Sequence, residues 1–442
     1  MSRPLPEKIV AAVEVLAEEL ADWCQSGRDR ALGVHEDAVL ERVRRVLPVL
    51  LQAVVEVTTS GLDARLRQGR EACPRCERRG RPHWTPRRRQ VQTRCGTITL
   101  ERPWYHCGAC GHGWSTIETT LEVGERASVS AGLRNWLVRL GATAPFREAA
   151  EVLEELTGLA VGPETIRRHT ETVGTALRAA EDAAVAQVER TREAAESVDP
   201  APGFLVVQTD GAMVRYQDGW HEVKLGLVGG WDAGELRAPS YVAIREPAAR
   251  FGARLATEAA RRGALEIVRW EGGFTGRGLA VLREVGLYGD GAAWIWNLAD
   301  ERFDGRIEVV DAYHAYQHLH TAARALFGEA PAASAWVDRR KAELLTVGID
   351  AVLAALRAKA PTPESAAILR VERGYFTTNA ERLDYPTLRL DGLPLGSGAI
   401  ESAADHLVQR RMKRAGMHWS VAGADALLAL RARLRSRRPL AA

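Results

Sequence analysis

Apolar residues recur at helical spacing towards both ends of this chain and at strand spacing in between. Ile9, Val10, Val13, Leu16, Leu20 and Trp23 share one face of a 3.6-residue period, and so do Val39, Leu40, Val43, Val46, Leu47 and Leu50, which predicts a helical region over 1–70. Residues 90–94 and 97–105 alternate as the arms of a hairpin do. Helical spacing returns at Leu133, Trp136, Leu137 and Leu140 and again over 146–156. A turn at Thr157-Gly158-Leu159 and a proline-opened segment over 161–169 follow, giving the order helix, glycine turn, helix. Residues 181–196, rich in alanine and charge, predict one more helix, and Ser197-Val-Asp-Pro-Ala-Pro-Gly203 marks a domain boundary.

Beyond that boundary the pattern turns to buried strands. Residues 204–209 form a branched apolar run that ends at Asp210 and Gly211, and 221–228 reads as its hairpin partner across a turn at Asp218-Gly219. The order then predicted is a strand at 240–244, a helix near 253–261, a strand or buried segment near 264–270, a helix over 276–285 and a short strand over 307–311. Residues 315–390 are helical in pattern, with Leu344, Ile349, Val352, Leu353 and Leu356 inward and Tyr375, Asn379 and Tyr385 near the exit, where they can support a site. Gly396 and Gly398 then break the chain, and helical spacing resumes at Ile400, Ala403, Ala404, Leu407 and Val408, so Glu401 falls in a first turn. Strands in hairpin order followed by strands alternating with helices predict a mixed α/β layer.

Composition changes this picture little. The 442 residues suffice for two or three cores, and 46% hydrophobic with 26% charged is ordinary for a globular protein. A formal charge of +3 announces no nucleic-acid binder, so any such surface must come from local clustering. Glu7 and Lys8 interrupt any leader-like run and no apolar stretch approaches spanning length, so the expected location is the cytosol, with no membrane partner.

The candidate chemistry lies in four places. Cys73-Pro-Arg-Cys76 and Cys107-Gly-Ala-Cys110 are paired knuckles with the spacing of a structural four-thiolate zinc site, disulfides being disfavoured in a reducing compartment. Cys24 beside the first apolar face predicts a buried thiol, and Cys95 a spare one. Between the knuckles Arg78, Arg79, Arg81, Arg87, Arg88, Arg89 and Arg94, with His83 and Trp84, make either a phosphate-contacting ribbon or a solvated charged loop. If the helix–turn–helix pattern binds DNA, Glu164, Thr165, Arg167, Arg168 and His169 face it; two packed helices would read the same. After Glu401, Arg410, Arg411, Lys413 and Arg414 can hold a nucleic-acid backbone, and Trp419 is either a base-stacking ring or a core residue.

Asp210, Asp290 in Gly-Asp-Gly-Ala-Ala-Trp-Ile-Trp, Asp311-Ala-Tyr-His314 and Gly-Ser-Gly-Ala-Ile-Glu401-Ser, taken in that order, resemble the motifs of DDE transposases of bacterial insertion sequences, of the ISKra type and related to Mutator-type transposases. The resemblance extends from about residue 73 to Trp419. It implies an RNase H-like core, with two Mg²⁺ or Mn²⁺ ions held by Asp210, Asp290 and Glu401. It also implies cleavage and strand transfer on double-stranded DNA, at least a homodimer on that DNA, and a place in the bacterial cytoplasm at the nucleoid. Asp311 is the alternative second acid, and Asp311 and His314 otherwise support the site or form a satisfied structural pair. The domains expected are a helical region 1–70, a zinc-ribbon-like domain 71–115, a helix–turn–helix domain 116–182 and a helical linker 183–202. The core follows over 203–314, interrupted by a helical insertion 315–392 and resumed over 393–442 as a helix and basic tail. Two other functions fit the residues less fully: an RNase H-like nuclease or resolvase without strand transfer, and a transposase-derived DNA-binding regulator.

Overall fold

The structure, a computed structural model, describes residues 7–26, 31–66, 72–78, 80–124, 127–191, 204–263, 265–266, 280–281, 284–358 and 362–440. The expected boundary at 197–203, the segment 267–270, Arg79 and most of the expected helix 276–285 lie outside these residues. The chain forms two compact units, residues 1–169 and 170–441. No helix among the described residues is long and apolar enough to cross a membrane.

In the first unit α1 (Glu7–Gln25) and α2 (Leu32–Leu66) run antiparallel, as the ion pairs Lys8–Glu56 and Arg45–Glu19, each 2.7 Å, require. Cys24 is exposed rather than buried, because Trp23 turns towards His35 on α2 and leaves its neighbour outside. The predicted hairpin forms from β1 (Arg81–Thr93) and β2 (Gly96–His106), joined by the tight turn at Arg94-Cys95, and the short β3 (Gly113–Trp114) adds to β2. Leu51 and Val55 of α2 pack on Val91, Ile98 and Leu100. The Gln52 amide bonds both the N–H and the C=O of Thr99, at 2.8 and 2.9 Å, so one side chain satisfies a stretch of strand backbone.

The four knuckle sulfurs close one end of this hairpin. Their Sγ atoms all lie within 4.8 Å of one another, with Cys73–Cys110 at 3.6 Å and Cys76–Cys107 at 3.5 Å. Those distances are far beyond a disulfide and close to the ~3.8 Å edge that four Zn–S bonds of ~2.3 Å would span in a tetrahedron. Backbone N–H groups of Cys110 and Ala109 hold the Cys107 thiol down at about 6. For Cys76 a backbone bond from Arg78 works the same way, but the neighbouring thiols outweigh it and push the group up to about 12. Charge on one sulfur thus opposes charge on the next, and a dication is the agent that makes all four thiolates compatible.

After α3 (Thr116–Thr120), α4 (Ala131–Thr143) is capped by Ser130, whose Oγ accepts from the Leu133 N–H at 3.1 Å. Then α5 (Phe146–Thr157) ends at Gly158 in the left-handed conformation, φ 73°, and α6 (Pro163–Thr191) begins at a proline. Leu133, Leu137, Ala149, Leu153, Val161 and Ile166 form the core between these helices. One expectation is overturned here: 163–191 is a single helix, so the second helix of the helix–turn–helix pattern and the expected linker helix are the same element. Nothing in 170–180 breaks the helix, since a lone Gly174 costs only ~1 kcal/mol relative to alanine.

The second unit is built on a five-stranded mixed sheet of β4 (Phe204–Tyr216), β5 (Gly219–Asp232), β6 (Glu235–Ile244), β9 (Val285–Gly289) and β10 (Ile307–Val310). Two further strands, β7 (Leu265–Glu266) and β8 (Ala280–Val281), pair only with each other. The spatial order is β10-β9-β4-β5-β6, with β5 antiparallel to both neighbours and β9 and β10 parallel to β4. Asp210 does not end its strand: β4 continues for six residues to Tyr216, paired with β5 and bridged at its end to Trp419. The burial pattern changes there from continuous over 205–209 to alternating over 211–216, because the sheet is covered on both faces only up to that point. Val285, expected at the end of a helix, opens β9 instead, fully buried between β4 and β10.

α7 (Ala248–Arg261) covers one face, and Leu255 comes so close that a Cβ on Gly226 of β5 would lie 2.3 Å from its methyl. α8 (Ala293–Arg302) follows β9, and α9 (Ala312–Phe327) follows β10. The expected helical insertion comprises α9, α10 (Pro331–Thr346), α11 (Ile349–Ala358), α12 (Ala366–Thr378) and α13 (Tyr385–Leu390). The opposite sheet face receives α14 (Gly398–Ala404). A π-helical turn over 405–409 and α15 (Arg410–Met412) continue it, and α16 (Val421–Arg435) packs on β6. Arg431 of α16 explains the π turn: its guanidinium, which burial holds down at about 10, bonds the His406 and Leu407 carbonyls that the wider turn frees. The C-terminal segment is not a loose basic tail, since Arg438 is buried against Glu258 of α7.

Chelation, or Cys107→Ser, is expected to release one zinc ion per chain and to expose the amides of 81–106 to hydrogen exchange while those of β4, β5 and β9 stay protected. Metal analysis combined with hydrogen-exchange mass spectrometry checks both.

Candidate active site

The parallel strands bring the acids together by register. Gln208 of β4 stands opposite Tyr288 of β9, and Val309 of β10 opposite the same Tyr288. Two residues further along each strand come Asp210, Asp290 and Asp311, at one level and, by the two-residue period of a strand, on one face. Ligands meet open α/β sheets at the carboxyl ends of parallel strands, and these acids stand there. Glu401 arrives from the other direction, exposed in the first turn of α14 as expected.

What positions Glu401 is the turn before it. Gln208, on the same face of β4 as Asp210, donates from Nε2 to the Gly396 carbonyl at 3.2 Å and accepts at Oε1 from the Ile400 N–H at 3.1 Å. Asp311 holds the same turn from β10: its Oδ2 accepts from the N–H of Ser397 and from Ser397 Oγ at 2.7 Å. The Ala312 N–H adds a bond to the Leu395 carbonyl at 3.0 Å. Neither Gln208 nor Ser397 is prominent in the sequence. The one available signal for Gln208 is a polar residue inside the apolar run Leu205-Val-Val-Gln-Thr, since a buried polar side chain must find partners.

The charges of the site act on one another. Burial raises the Asp210 carboxyl, the Gly211 N–H bond opposes it, and the negative charges of Asp290 and Glu401 raise it further, with His314 pulling the other way. Asp311 shows the reverse: burial would raise it, but hydrogen bonds from His314 and Ser397 hold it at about 2. His314 is raised, first by its bond to Asp311 and then, against burial, by the charges of Asp311, Asp290 and Glu401. The ion pair is therefore complete between the ordinary carboxylate and imidazole ranges. Asp311 loses its contribution as pH falls towards 2, and His314 loses its own as pH rises through its elevated value.

Among the described residues, the tightest set of oxygen and nitrogen ligand atoms belongs to Asp311, His314 and Glu401, all within 4.8 Å of one another. Asp290, whose charge helps to raise His314, and Asp210, which feels the charges of Asp290, Glu401 and His314, stand nearby but are not in that set. Asp311 is 1% exposed and already spent on Ser397 and on the His314 N–H at 3.0 Å, whereas Asp290 is exposed and gives one oxygen to the Ala292 N–H at 2.8 Å. Gly291 seats a side chain: with φ +101° it leaves Tyr375 Cε2 only 3.0 Å from where a Cβ would be. Tyr375 donates to the Asp290 carbonyl at 3.2 Å and Tyr385 to the Val310 carbonyl at 2.8 Å, so both brace the strand ends, while Asn379 donates to the Tyr375 carbonyl at 3.1 Å within its own helix.

Several residues expected to contact DNA prove to be interior. Trp419 is 9% exposed and its indole N–H is bonded to the Met412 carbonyl at 3.0 Å, so its ring serves the core and no base can stack on it. Arg411, 1% exposed, lies over that ring at 5.1 Å. Arg89 is mostly buried and paired with Glu118 at 2.7 Å. Arg167 is tied to Glu164 at 2.6 Å, and His169 is half-buried, its imidazole lowered by burial and by the neighbouring Arg168 and Arg134. Thr165 is half-buried, and Arg87, Arg88, Arg168, Arg410, Lys413 and Arg414 are exposed. Arg88 and Arg410 there hold surface partners, Glu101 and Asp405, both at 2.6 Å.

Because the folded protein raises the Asp210 carboxyl, it is destabilised by that charge once pH exceeds the raised value, and the penalty vanishes below the ordinary carboxylate range. Asp210→Asn is expected to raise the melting temperature at pH 7 and not at pH 3.5. Mn²⁺ should stabilise the wild type, by up to about 2.7 kcal/mol at a hundredfold excess over its dissociation constant, and so raise its melting temperature, and should stabilise the variant less. Differential scanning calorimetry with and without the ion measures this.

The model of an uncharacterised protein family, UPF0236, matches residues 33–232, a span that includes the four-cysteine ribbon and Asp210 and ends before Asp290, Asp311 and Glu401. No curated protein matches the chain.

Proposed function

We propose that the protein is a DNA transposase of an insertion sequence, cutting and joining strands at the site formed by Asp210, Asp290 and Glu401. The observation that carries this reading is the convergence of Asp210 and Asp290 near the ends of parallel strands with Glu401 of α14, where the charges of Asp290 and Glu401 raise both Asp210 and His314. An all-oxygen set whose members repel one another suits hard divalent cations such as Mg²⁺ or Mn²⁺. Such ions supply Lewis acidity to a water or sugar hydroxyl and to a leaving 3′ oxygen. The sheet order, with β5 alone running against the other strands, supports an RNase H-like core.

The chain's own residues then divide the work. Glu401, carried just after the turn that Gln208 grips, bears on the charge of Asp210, and Asp290, exposed, is the second strand-end acid. Asp311 is committed to holding Ser397 and His314. His314, its imidazole raised first by Asp311, stands beside the acids and, when protonated, offers a positive group to a phosphate oxygen. Arg87, Arg88, Arg168, Arg410, Lys413 and Arg414 are exposed and suited to phosphate contacts. Work on two element ends calls for at least a homodimer on double-stranded DNA, in the bacterial cytoplasm.

Asp210→Asn, Asp290→Asn and Glu401→Gln are each expected to lower Mg²⁺-dependent cleavage at element ends by about 10³-fold, the scale of losing a major electrostatic group, with end binding unchanged. Cleavage surviving all three changes would sink the proposal. Joining of pre-cut ends to a plasmid by the wild type distinguishes a transposase from a nuclease or resolvase, and end binding without any cleavage would leave the regulator.

A further inference from the structure

We propose that Gln208 is the positioning residue that sets the separation of Asp210 and Glu401. The inference rests on the reading above for what that separation is used for, but its geometry does not.

Gln208 is 3% exposed and uses both ends of its amide on the backbone that carries Glu401. Nε2 binds the Gly396 carbonyl, at the start of the turn, and Oε1 the Ile400 N–H, one residue before Glu401. On its own strand Gln208 stands two residues before Asp210, on the same face. The path between the two carboxylates therefore crosses a single amide. With Gly396 held as well as Ile400, the turn is prevented from sliding along β4.

This grip opposes a definite force. Asp290 and Glu401 both bear on the charge of Asp210, so the acids push one another apart unless something holds the elements that carry them. Asp311 with Ser397 holds the same turn from β10, but it governs the distance to that strand. Among the described residues, only Gln208 ties the turn to the strand of Asp210 through a side chain that uses one donor and one acceptor. Glutamate keeps the acceptor and loses the donor, methionine keeps the length and loses both, and asparagine is shorter by about 1.5 Å. A misplacement of about 1 Å can cost on the order of 10² in rate.

The test uses the full chain with Gln208→Met and Gln208→Glu, the probe being Mn²⁺ followed by its magnetic relaxation. Both variants should bind Mn²⁺ at least tenfold more weakly and cut element ends about 10²-fold more slowly at saturating Mn²⁺. Amide protection of β5 and β9 should be unchanged, which a general loss of structure would not allow. Affinity within twofold of wild type together with an unchanged saturating rate, in either variant, overturns the proposal. So does loss of folding in both, since the role would then be general support. If only Gln208→Met fails to fold, Gln208→Glu decides. Should the wild type neither bind Mn²⁺ nor cut DNA, the transposase reading fails by itself. The positioning role is then read from disulfide formation between cysteines introduced by Asp210→Cys and Glu401→Cys. Bonding at least tenfold slower in a Gln208→Met background supports it, and equal rates overturn it.

Discussion

Carboxylates that repel one another stay together only where other groups hold their backbones, and in this protein that holding is concentrated on the turn over 395–400. Two side chains from different strands reach it, Gln208 and Asp311, and a backbone bond from Ala312 to Leu395 joins them. Each interaction is modest in isolation, ~1 kcal/mol net for a neutral pair and more for those to Asp311. Their value is that they are buried, so that loosening one leaves a polar group with neither protein nor water to meet it. The turn is correspondingly rigid, and an exposed acid projects from it.

The hydrophobic sheet sets the level at which this happens. Leu205, Val206, Val207, Leu287 and Val309 are fully buried, each contributing about 1.5–3 kcal/mol, and they fix β4, β9 and β10 in register. The acids begin where that apolar run stops. The insertion is more than a spacer, because Tyr375 and Tyr385 return from it to bond the backbone at the ends of β9 and β10. Arginine is used on both sides of the surface. Arg254, Arg261 and Arg438 are buried in ion pairs with Glu246, Glu181 and Glu258, while Lys413 and Arg414 remain exposed. A near-zero net charge is therefore no guide to the charge presented at any one place.

Much of the chain is legible residue by residue. Knuckle spacing at Cys73, Cys76, Cys107 and Cys110 announces a group that the fold indeed closes, since paired cysteines two apart wrap one edge of an ion with little help from elsewhere. Hairpin pairing of 204–216 with 219–232 follows from local alternation and a tight turn. Other positions were misread where a local signal has two outcomes. Gly211 looks like a strand stop and is only a change of covering. An arginine or tryptophan beside a candidate centre reads as a contact, yet Arg411 and Trp419 pack on each other inside.

The sequence by itself determined the elements, the cysteine group and the identity of the acids, because those depend on spacing along the chain and on turn chemistry within a few residues. Tertiary structure alone decided which acids are spent and which exposed. Asp290 and Asp311 look alike in sequence, but Ser397, 86 residues away from Asp311, takes up one of them. The reason is that burial and hydrogen-bond partners come from segments far apart in the chain. The pairing of Gln208 with Ile400, across 192 residues, exists only once the sheet and the last helix have met.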